Sequence, residues 1–486
     1  MNKPLRRIAI FCGILILALL VRTNYLQYVR ADELDTRKEN RRVRIERYAH
    51  ERGDIIVDGG KAVTGSKETK DSDFKYKRVW QDGPMWAPVT GYSSQAFGAT
   101  QLESIEDGIL TGNDDQLFFD RTKSMFTGDK KQGGNVVTTL NSAAQKAAFT
   151  GLGDKKGAVA ALDPQTGAIL ALASTPSYDP SVFAGNSDKD SNAWQALQKD
   201  KDKPTLNRAL RETYPPGSTF KVVTAAAALE NGLYTDIDAK TRSPLPYRLP
   251  LSTKNLDNEN NIPCENVSLR EALRMSCNSV FGKISDDLGN QKMIDEADKF
   301  GFNKEVFVPV RTNASIYPKD NRPQNAMAGI GQASNRATPL QMAMVASAIA
   351  NDGKLMQPYM VAKRQSPSLD DIYTHQPEQL SQPLSAENAQ KLQEMMKTVV
   401  ESGTGSNAKI PGVTVGGKTG TAQHGLGNSE KPYAWFISYA KTDSGSPVAV
   451  AVVVEDSKAN RDDVSGGGLA APIAKAVMQA VIDGKK

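Results

Sequence analysis

The chain has 486 residues, of which 39% are hydrophobic and 24% are charged, and its formal net charge is +5. This length allows two or three domains with full cores, and the composition excludes wholesale disorder. The charge is small for the length, and no run of Lys and Arg interleaves with aromatic residues, so we expect no nucleic-acid partner.

The first element is an apolar segment at residues 8–21, preceded by basic residues within 3–7. Its core is short for a membrane span, which needs about 20 residues, but flanking Leu and Tyr residues lengthen it. A cleaved signal peptide has an apolar region of similar length, yet no small-residue cleavage site follows. We therefore expect an uncleaved single-pass anchor within residues 1–28. The basic flank predicts a cytoplasmic N-terminus, with the rest of the chain outside the membrane.

Cysteine and histidine usage bears on disulfides and metals. Cys12 lies in the apolar segment, whereas Cys264 and Cys277 lie in the part expected outside, where disulfides persist. A bridge between the latter two and a pair of free thiols are both compatible with the sequence. The three histidines show no metal-ligand spacing and no C-x-x-C occurs, so we expect no metal site.

The remaining pattern predicts two modules. Residues 29–140 combine short strands, turns and no catalytic cluster, which indicates a small α+β module. Residues 141–486 begin with a predicted helix and with a hairpin at 157–172, continue through a mostly helical centre, and end with strands and a C-terminal helix. This order predicts one domain whose sheet joins both ends of the segment.

The segment 218–221 (Ser-Thr-Phe-Lys) follows a Pro-Pro-Gly turn and opens an apolar run that predicts a buried helix. A serine that only capped this helix would favour Glu or Gln three residues later, whereas Lys221 puts a cation at the positive end of the helix dipole. One turn separates the two side chains, so we expect them on one face. Burial would lower the pKa of the Lys221 amine, which could then activate Ser218 as a nucleophile. Taken alone, this pattern is more often a helix cap with a solvated lysine.

Residues 276–278 (Ser-Cys-Asn) separate two predicted helices, the first of which opens with a capping box at 268–271. A polar triplet in this place can point a hydroxyl and an amide into a cleft. Ser276 would relay a proton to a leaving amine, and Asn278 would hydrogen-bond a substrate backbone. Alone, this pattern recurs by chance.

Residues 416–421 (Gly-Gly-Lys-Thr-Gly-Thr) extend a predicted strand at 413–415. Lys418 offers positive charge to a substrate carboxylate, and Thr419 offers a hydroxyl donor. Gly420 would let a ligand approach the strand, along which an extended peptide could pair. The plain alternative is a flexible turn.

These three motifs occur in the same order in class A β-lactamases and penicillin-binding proteins. With them, the chain resembles the class B penicillin-binding proteins, and within these the actinobacterial penicillin-binding protein A type. The likeness covers nearly the whole chain and is weakest between residues 60 and 130. Besides the three motifs, it rests on the anchor and on residues 52–55, 157–167, 207–208, 214–218, 329–332, 337–341 and 403–405.

The resemblance implies an α+β fold. It predicts a transpeptidase domain like that of serine β-lactamases, with an antiparallel sheet flanked by helices and an all-helical subdomain. This domain would span residues 141–486 and stand on a smaller α+β pedestal, similar to a penicillin-binding protein dimerisation domain, at residues 29–140. One transmembrane helix would precede the pedestal.

The resemblance also implies a peptidoglycan D,D-transpeptidase, or a D-Ala-D-Ala carboxypeptidase, that works through a serine acyl-enzyme without a metal or organic cofactor. Its donors would be stem peptides ending in D-Ala-D-Ala, and β-lactams would acylate the same serine. Catalytic roles fall on Ser218 as nucleophile, Lys221 as general base, Ser276, Asn278 and Lys418. Substrate binding falls on Thr419, Gly420 and Thr421, and the backbone N–H groups of Ser218 and Thr421 would form the oxyanion hole.

Two alternatives use the same serine. A β-lactamase would hydrolyse its acyl-enzyme quickly and is typically a soluble domain without a pedestal. A β-lactam sensor would carry more spans or a cytoplasmic domain. The roughly 110 residues between the anchor and the catalytic domain are too few for a glycosyltransferase domain. The family resemblance implies that the pedestal binds a separate membrane glycosyltransferase and division or elongation proteins.

Overall fold

The computed structural model describes residues 3–35, 37, 40–70, 72–127, 131–425, 428–456 and 459–484. It opens with an apolar helix, Lys3–Val29, that has a mean hydropathy of 2.2 over its most apolar window and none of that window buried. This helix is long and apolar enough to cross a bilayer, so it fits the predicted membrane anchor.

The described elements are numbered along the chain. The α-helices are α1 (Lys3–Asn24), α2 (Ala31–Asp35), α3 (Arg41–Arg47), α4 (Gly83–Thr90), α5 (Gln101–Ile105), α6 (Asp107–Leu110), α7 (Phe118–Thr127), α8 (Ser142–Leu152), α9 (Asp188–Lys199), α10 (Arg208–Arg211), α11 (Lys221–Glu230), α12 (Leu269–Met275), α13 (Asn278–Leu288), α14 (Asn290–Lys299), α15 (Arg322–Ala328), α16 (Pro339–Ala350), α17 (Ala386–Ser402) and α18 (Ala471–Gly484). The β-strands are β1 (Ile55–Val57), β2 (Lys61–Ala62), β3 (Thr64–Glu68), β4 (Tyr76–Trp80), β5 (Ser93–Ser94), β6 (Gly98–Ala99), β7 (Asn135–Thr138), β8 (Lys156–Leu162), β9 (Ile169–Thr175), β10 (Tyr247–Arg248), β11 (Asn255–Leu256), β12 (Leu355–Met356), β13 (Val361–Gln365), β14 (Asp371–Thr374), β15 (Gln379–Ser381), β16 (Thr414–Ala422), β17 (Tyr433–Thr442) and β18 (Gly445–Asp456).

A five-stranded sheet organises the N-terminal module, in the order β14–β13–β7–β1–β2. β1 runs parallel to β7, and β13 runs antiparallel to β7. Two of the five strands therefore come from a hairpin that lies more than 200 residues further along the chain. Strand pairing fastens the pedestal to the catalytic part, because the pedestal sheet takes strands from both sides of residue 140.

Buried charges occupy the centre of the pedestal. Arg52 donates to Glu103 and to Asp107 at 2.6 Å each, and Arg78 donates to the second oxygen of Glu103 at 2.6 Å. Buried charges cost much free energy unless they are paired, so the two arginines must stay in contact with Glu103. These contacts hold the start of β1 and strand β4 against α5. It explains why the chain has an arginine at the start of the 52–55 segment.

The catalytic sheet has the order β16–β17–β18–β8–β9, and every neighbouring pair is antiparallel. Alternate residues of its central strands face opposite layers, as the period of two in a strand requires. One face packs on α8 and α18, and the other packs on α16. The hairpin and the late strands predicted from sequence are confirmed, and the arrangement leaves β16 as an edge strand.

Candidate active site

Ser218 lies on a turn that leads into a buried helix. Residues Gly217–Phe220 form a 3-10 turn, and α11 begins at Lys221 with every residue up to Leu229 buried. The Thr219 hydroxyl donates to the carbonyl of Pro216 at 2.7 Å. The sequence places the start of the helix at Ser218, and the structure gives this first turn the tighter 3-10 geometry.

The turn before Ser218 rests on Gly331. The Gly217 N–H donates to the Gly331 carbonyl at 2.9 Å. Gly331 has a φ of +77°, and a Cβ atom there would lie 2.0 Å from the Gly217 carbonyl oxygen. The segment 329–332, which contributes to the family resemblance, thus contacts the turn that carries Ser218 and fixes its position.

Gly331→Ala is therefore expected to destabilise the fold by about 3 kcal/mol or more, because it adds backbone strain to a steric overlap. Gly412→Ala is the matched control, since Gly412 has a φ of +74° and open space around its Cβ position. The control should cost only about 1 kcal/mol. Urea unfolding measures both, and equal losses would show that the contact with Gly217 is unimportant.

Lys221 is buried and forms hydrogen bonds with the second motif, residues 276–278. Its Nζ donates to the Ser276 carbonyl at 2.6 Å, to the Ser276 hydroxyl at 3.2 Å and to Asn278 Oδ1 at 2.7 Å. Burial, together with the nearby charge of Lys418, holds the pKa of Lys221 well below its ordinary value. This lowered pKa favours the neutral amine, which is the form that can accept a proton.

Lys418 reaches the same hydroxyl from β16. Its Nζ donates to Ser276 Oγ at 2.9 Å and to the Thr419 carbonyl at 2.9 Å. Burial lowers the pKa of Lys418 to about 7. The Ser276 hydroxyl therefore lies between two amines, one from each of the other two motifs.

Ser276 and Asn278 hold the second motif between two helices. Ser276 ends α12 in a left-handed conformation, with a φ of 62°, and Asn278 begins α13. The Asn278 side chain accepts from Lys221 and donates to the Asp257 carbonyl at 2.9 Å. Both of its polar atoms are thus bonded within the protein, and its predicted contact with a substrate backbone stays a prediction.

A disulfide fixes the loop between α12 and α13. Cys277, the middle residue of the motif, is joined to Cys264, and both are fully buried. The bridge ties the segment before α12 to the residues between α12 and α13. Of the two alternatives that the sequence leaves open, the structure has the bridged one.

The third motif forms one wall of the cleft. Thr419 shares a hydrogen bond of 2.6 Å with the hydroxyl of Thr404, and a Cβ atom on Gly420 would lie 3.0 Å from Thr219 and 3.1 Å from Trp435. Because Gly420 has no side chain, strand β16 packs close to the turn that carries Ser218. Two cavities of about 280 and 340 Å³ open here, and both are lined by Ser218 and Thr421.

Sequence reasoning missed part of the cleft. Glu259 lines both cavities, and Thr404 and residues 465–467 line the smaller one. The run of acidic and amide residues at 255–261, shortly before the second motif, is the signal that could have pointed to the Glu259 loop. Thr404 belongs to the 403–405 segment. This segment contributes to the family resemblance, but the sequence predicted no functional role for it.

Family models match both parts of the chain. A model described as the penicillin binding protein transpeptidase domain matches residues 157–479, and one described as the penicillin binding protein A dimerisation domain matches residues 52–136. The chain is 40% identical to the peptidoglycan D,D-transpeptidase PbpA of Mycolicibacterium smegmatis, over 99% of each chain. It is also 40% identical to the protein of the same name from Mycobacterium tuberculosis, over 100% of each chain.

Solved structures agree with this match. Penicillin-binding protein A from M. tuberculosis as a ceftriaxone acyl-enzyme superimposes with a TM-score of 0.85 at 39% identity, which covers 90% of this chain and 100% of that one. Its imipenem acyl-enzyme complex gives a TM-score of 0.83 at 40% identity, with the same coverage. The predicted fold class is therefore confirmed, and the chain belongs to the penicillin-binding protein transpeptidase family.

Proposed function

We propose that this chain is a peptidoglycan D,D-transpeptidase whose Ser218 carries the acyl group. One observation supports the residue assignment most strongly. The Ser276 hydroxyl accepts hydrogen bonds from Lys221 and Lys418, so the three motifs meet beside the cavities that Ser218 lines. Membership of the family and the 40% identity to D,D-transpeptidases support the reaction class.

The buried amine of Lys221 takes the proton from Ser218 as Oγ attacks the penultimate D-Ala carbonyl of a stem peptide. The carbonyl carbon becomes tetrahedral, and the N–H groups of Ser218 and Thr421 stabilise its oxyanion. When the C–N bond breaks, the proton passes from Lys221 through Ser276 to the leaving D-Ala nitrogen. The acyl-enzyme ester then transfers its acyl group to an amine of a neighbouring strand.

β-Lactams acylate the same serine in this proposal. Their ring amide takes the place of the terminal peptide bond, and ring opening leaves an ester on Ser218. The solved relatives that are ceftriaxone, imipenem and penicillin G acyl-enzymes support this assignment.

The apolar helix α1 anchors the enzyme in the membrane, with the basic N-terminus in the cytoplasm and the catalytic domain outside. The pedestal is then placed to contact other membrane proteins. By resemblance to the family, its partners are a membrane glycosyltransferase and proteins of division or elongation. Co-purification of the full-length chain from membranes after crosslinking, compared with membranes that lack the chain, tests these partners.

The rate of acylation by penicillin G should fall as the pH rises above about 7. The pKa of Lys418 is about 7, so its positive charge is lost as the pH rises through this value, whereas the pKa of Lys221 is held well below its ordinary value. If Lys418 attracts the ligand carboxylate, the second-order rate constant for penicillin G should drop several-fold between about pH 7 and 8.5. A rate constant that stays flat to pH 9 would remove Lys418 from carboxylate binding.

A donor–acceptor assay tests the function itself. The full-length enzyme in detergent is incubated with a stem pentapeptide ending in D-Ala-D-Ala and with an amine acceptor. We expect release of one D-Ala and formation of the joined peptide, both detected by mass spectrometry. Binding of penicillin without any turnover of the peptide would indicate a sensor, and rapid hydrolysis of penicillin would indicate a β-lactamase.

A further inference from the structure

Glu259 is a carboxylate at the junction of the two cavities beside Ser218. It is exposed and lines both cavities. The smaller cavity also contains Thr419 and Gly420 of β16, and the larger one contains Asn278 and Gln332 instead. The cleft thus offers two compartments that share Ser218, Glu259 and Thr421.

The loop that carries Glu259 is held firmly to the second motif. Asn258 accepts from the Ser279 N–H at 2.9 Å and donates to the Ser279 hydroxyl at 3.0 Å. Asn278 donates to the Asp257 carbonyl, and Cys264 is bridged to Cys277. Residues on both sides of Glu259 are therefore fixed relative to the catalytic amines.

The charge of Glu259 reaches the reacting centre. Burial lowers the pKa of both Lys221 and Lys418, and the Glu259 carboxylate acts on both amines in the opposite direction. Within the described part of the chain, no Lys or Arg forms an ion pair with this carboxylate, so it is open to a cation from solution.

A transpeptidase needs a binding site for such a cation. The acceptor is an amine, which is protonated at neutral pH, and it must approach the acyl-enzyme while the donor peptide occupies the edge of β16. The larger cavity is not lined by Thr419 or Gly420, and Glu259 and Ser218 line both cavities, so an acceptor in the larger cavity can reach Ser218.

We propose that the Glu259 carboxylate binds the ammonium group of the acceptor strand and holds it beside the Ser218 acyl-enzyme. The ammonium group then loses one proton to solvent, and the neutral amine attacks the ester carbonyl. The C–O bond to Ser218 breaks, and the second proton of the amine passes to Ser218 Oγ. This inference rests on the proposed function. Glu259 is in this role an acceptor-binding residue, and it does not contact the reacting atoms in the acylation step.

Glu259→Gln in the full-length enzyme tests the proposal. The donor is a benzoyl-D-alanyl thioester, which has no amine of its own, and the acceptors are glycinamide, a cation, and hydroxylamine, which is neutral at pH 7. We expect the apparent KM for glycinamide to rise about fivefold, the upper end for a partly exposed charge pair. The rate with hydroxylamine should fall no more than the rate of acylation by penicillin, which reports the effect of the lost charge on Lys221 and Lys418.

Glu265→Gln is the matched control, because it removes the same charge from an exposed side chain of the same region that lines neither cavity. It should leave the KM for glycinamide unchanged. Added salt should raise this KM for the wild type and have little effect on Glu259→Gln, since screening weakens only the charge pair.

Three results would overturn the proposal: an unchanged KM for glycinamide in Glu259→Gln, an equal rise in Glu265→Gln, or an equal loss with hydroxylamine. An effect that appears only when the donor itself carries an amine would assign Glu259 to the donor instead. Formation of the penicillin acyl-enzyme in each variant shows that the fold is intact. If no acyl-enzyme forms in the wild type, the proposed function fails, which is a distinct outcome.

Discussion

Ser218→Ala is expected to abolish covalent labelling by a fluorescent penicillin completely, because the variant lacks the oxygen that forms the ester. The wild type should give one labelled band that persists for minutes or longer after free penicillin is removed. Loss of the hydroxyl should leave the melting temperature nearly unchanged, since Ser218 is only partly buried on its turn. Gel fluorescence and thermal unfolding measure the two quantities.

Ser465→Ala is a control for this experiment, because it removes another hydroxyl from the lining of the smaller cavity. It should keep the label. A label retained in Ser218→Ala would move the nucleophile elsewhere. Rapid loss of the wild-type label would identify a β-lactamase.

Lys221→Met is expected to slow acylation by about 10³-fold, within the range for removal of a general base. The Met side chain fills a similar volume, while the Ser276 carbonyl and Asn278 Oδ1 lose their donor, at a cost of about 1–3 kcal/mol. Stopped-flow measurement of penicillin acylation gives the rate constant, and urea unfolding gives the stability.

Two further variants separate the role of the base from that of a positive charge. Lys221→Arg keeps a cation that cannot give up its proton near neutral pH, so it should be as slow as Lys221→Met. Lys354→Met, at an exposed position, should acylate at the wild-type rate. Acylation by Lys221→Arg within tenfold of the wild type would contradict a neutral lysine as the base.

The parts of the fold that local pattern determines were predictable. Apolar length identified α1, apolar runs on either side of a turn identified β8 and β9, and a capping serine identified the start of α12. The β-branched residues at 413–415 predicted the start of the strand that carries Lys418. In each case the deciding interactions lie within a few residues along the chain.

The parts that depend on distant contacts were not predictable. The hairpin of β13 and β14 completes the pedestal sheet because it pairs with β7, more than 200 residues earlier. Glu259 enters the cleft because Asn258 is bonded to Ser279 and because a disulfide holds the neighbouring segment. Neither pairing leaves a periodic signal in the sequence.

The roles of the motif residues were also only partly accessible. The sequence placed Ser218 and Lys221 on one helical face, whereas the structure bonds the lysine to Ser276 and Asn278. It assigned the Asn278 amide to substrate, and the structure uses both of its polar atoms inside the protein. Side-chain partners across a cleft depend on how three separate elements pack, which spacing within one element does not report.

The most direct test of the proposed site is a crystal structure of this protein after reaction with penicillin G. We expect continuous electron density from Ser218 Oγ to the opened β-lactam, with the carbonyl oxygen of the ester beside the N–H groups of Ser218 and Thr421 and the ligand along β16. Density that joins penicillin to any other residue, or an acylated Ser218 whose ligand lies away from Lys221, Ser276 and β16, would contradict the proposed site.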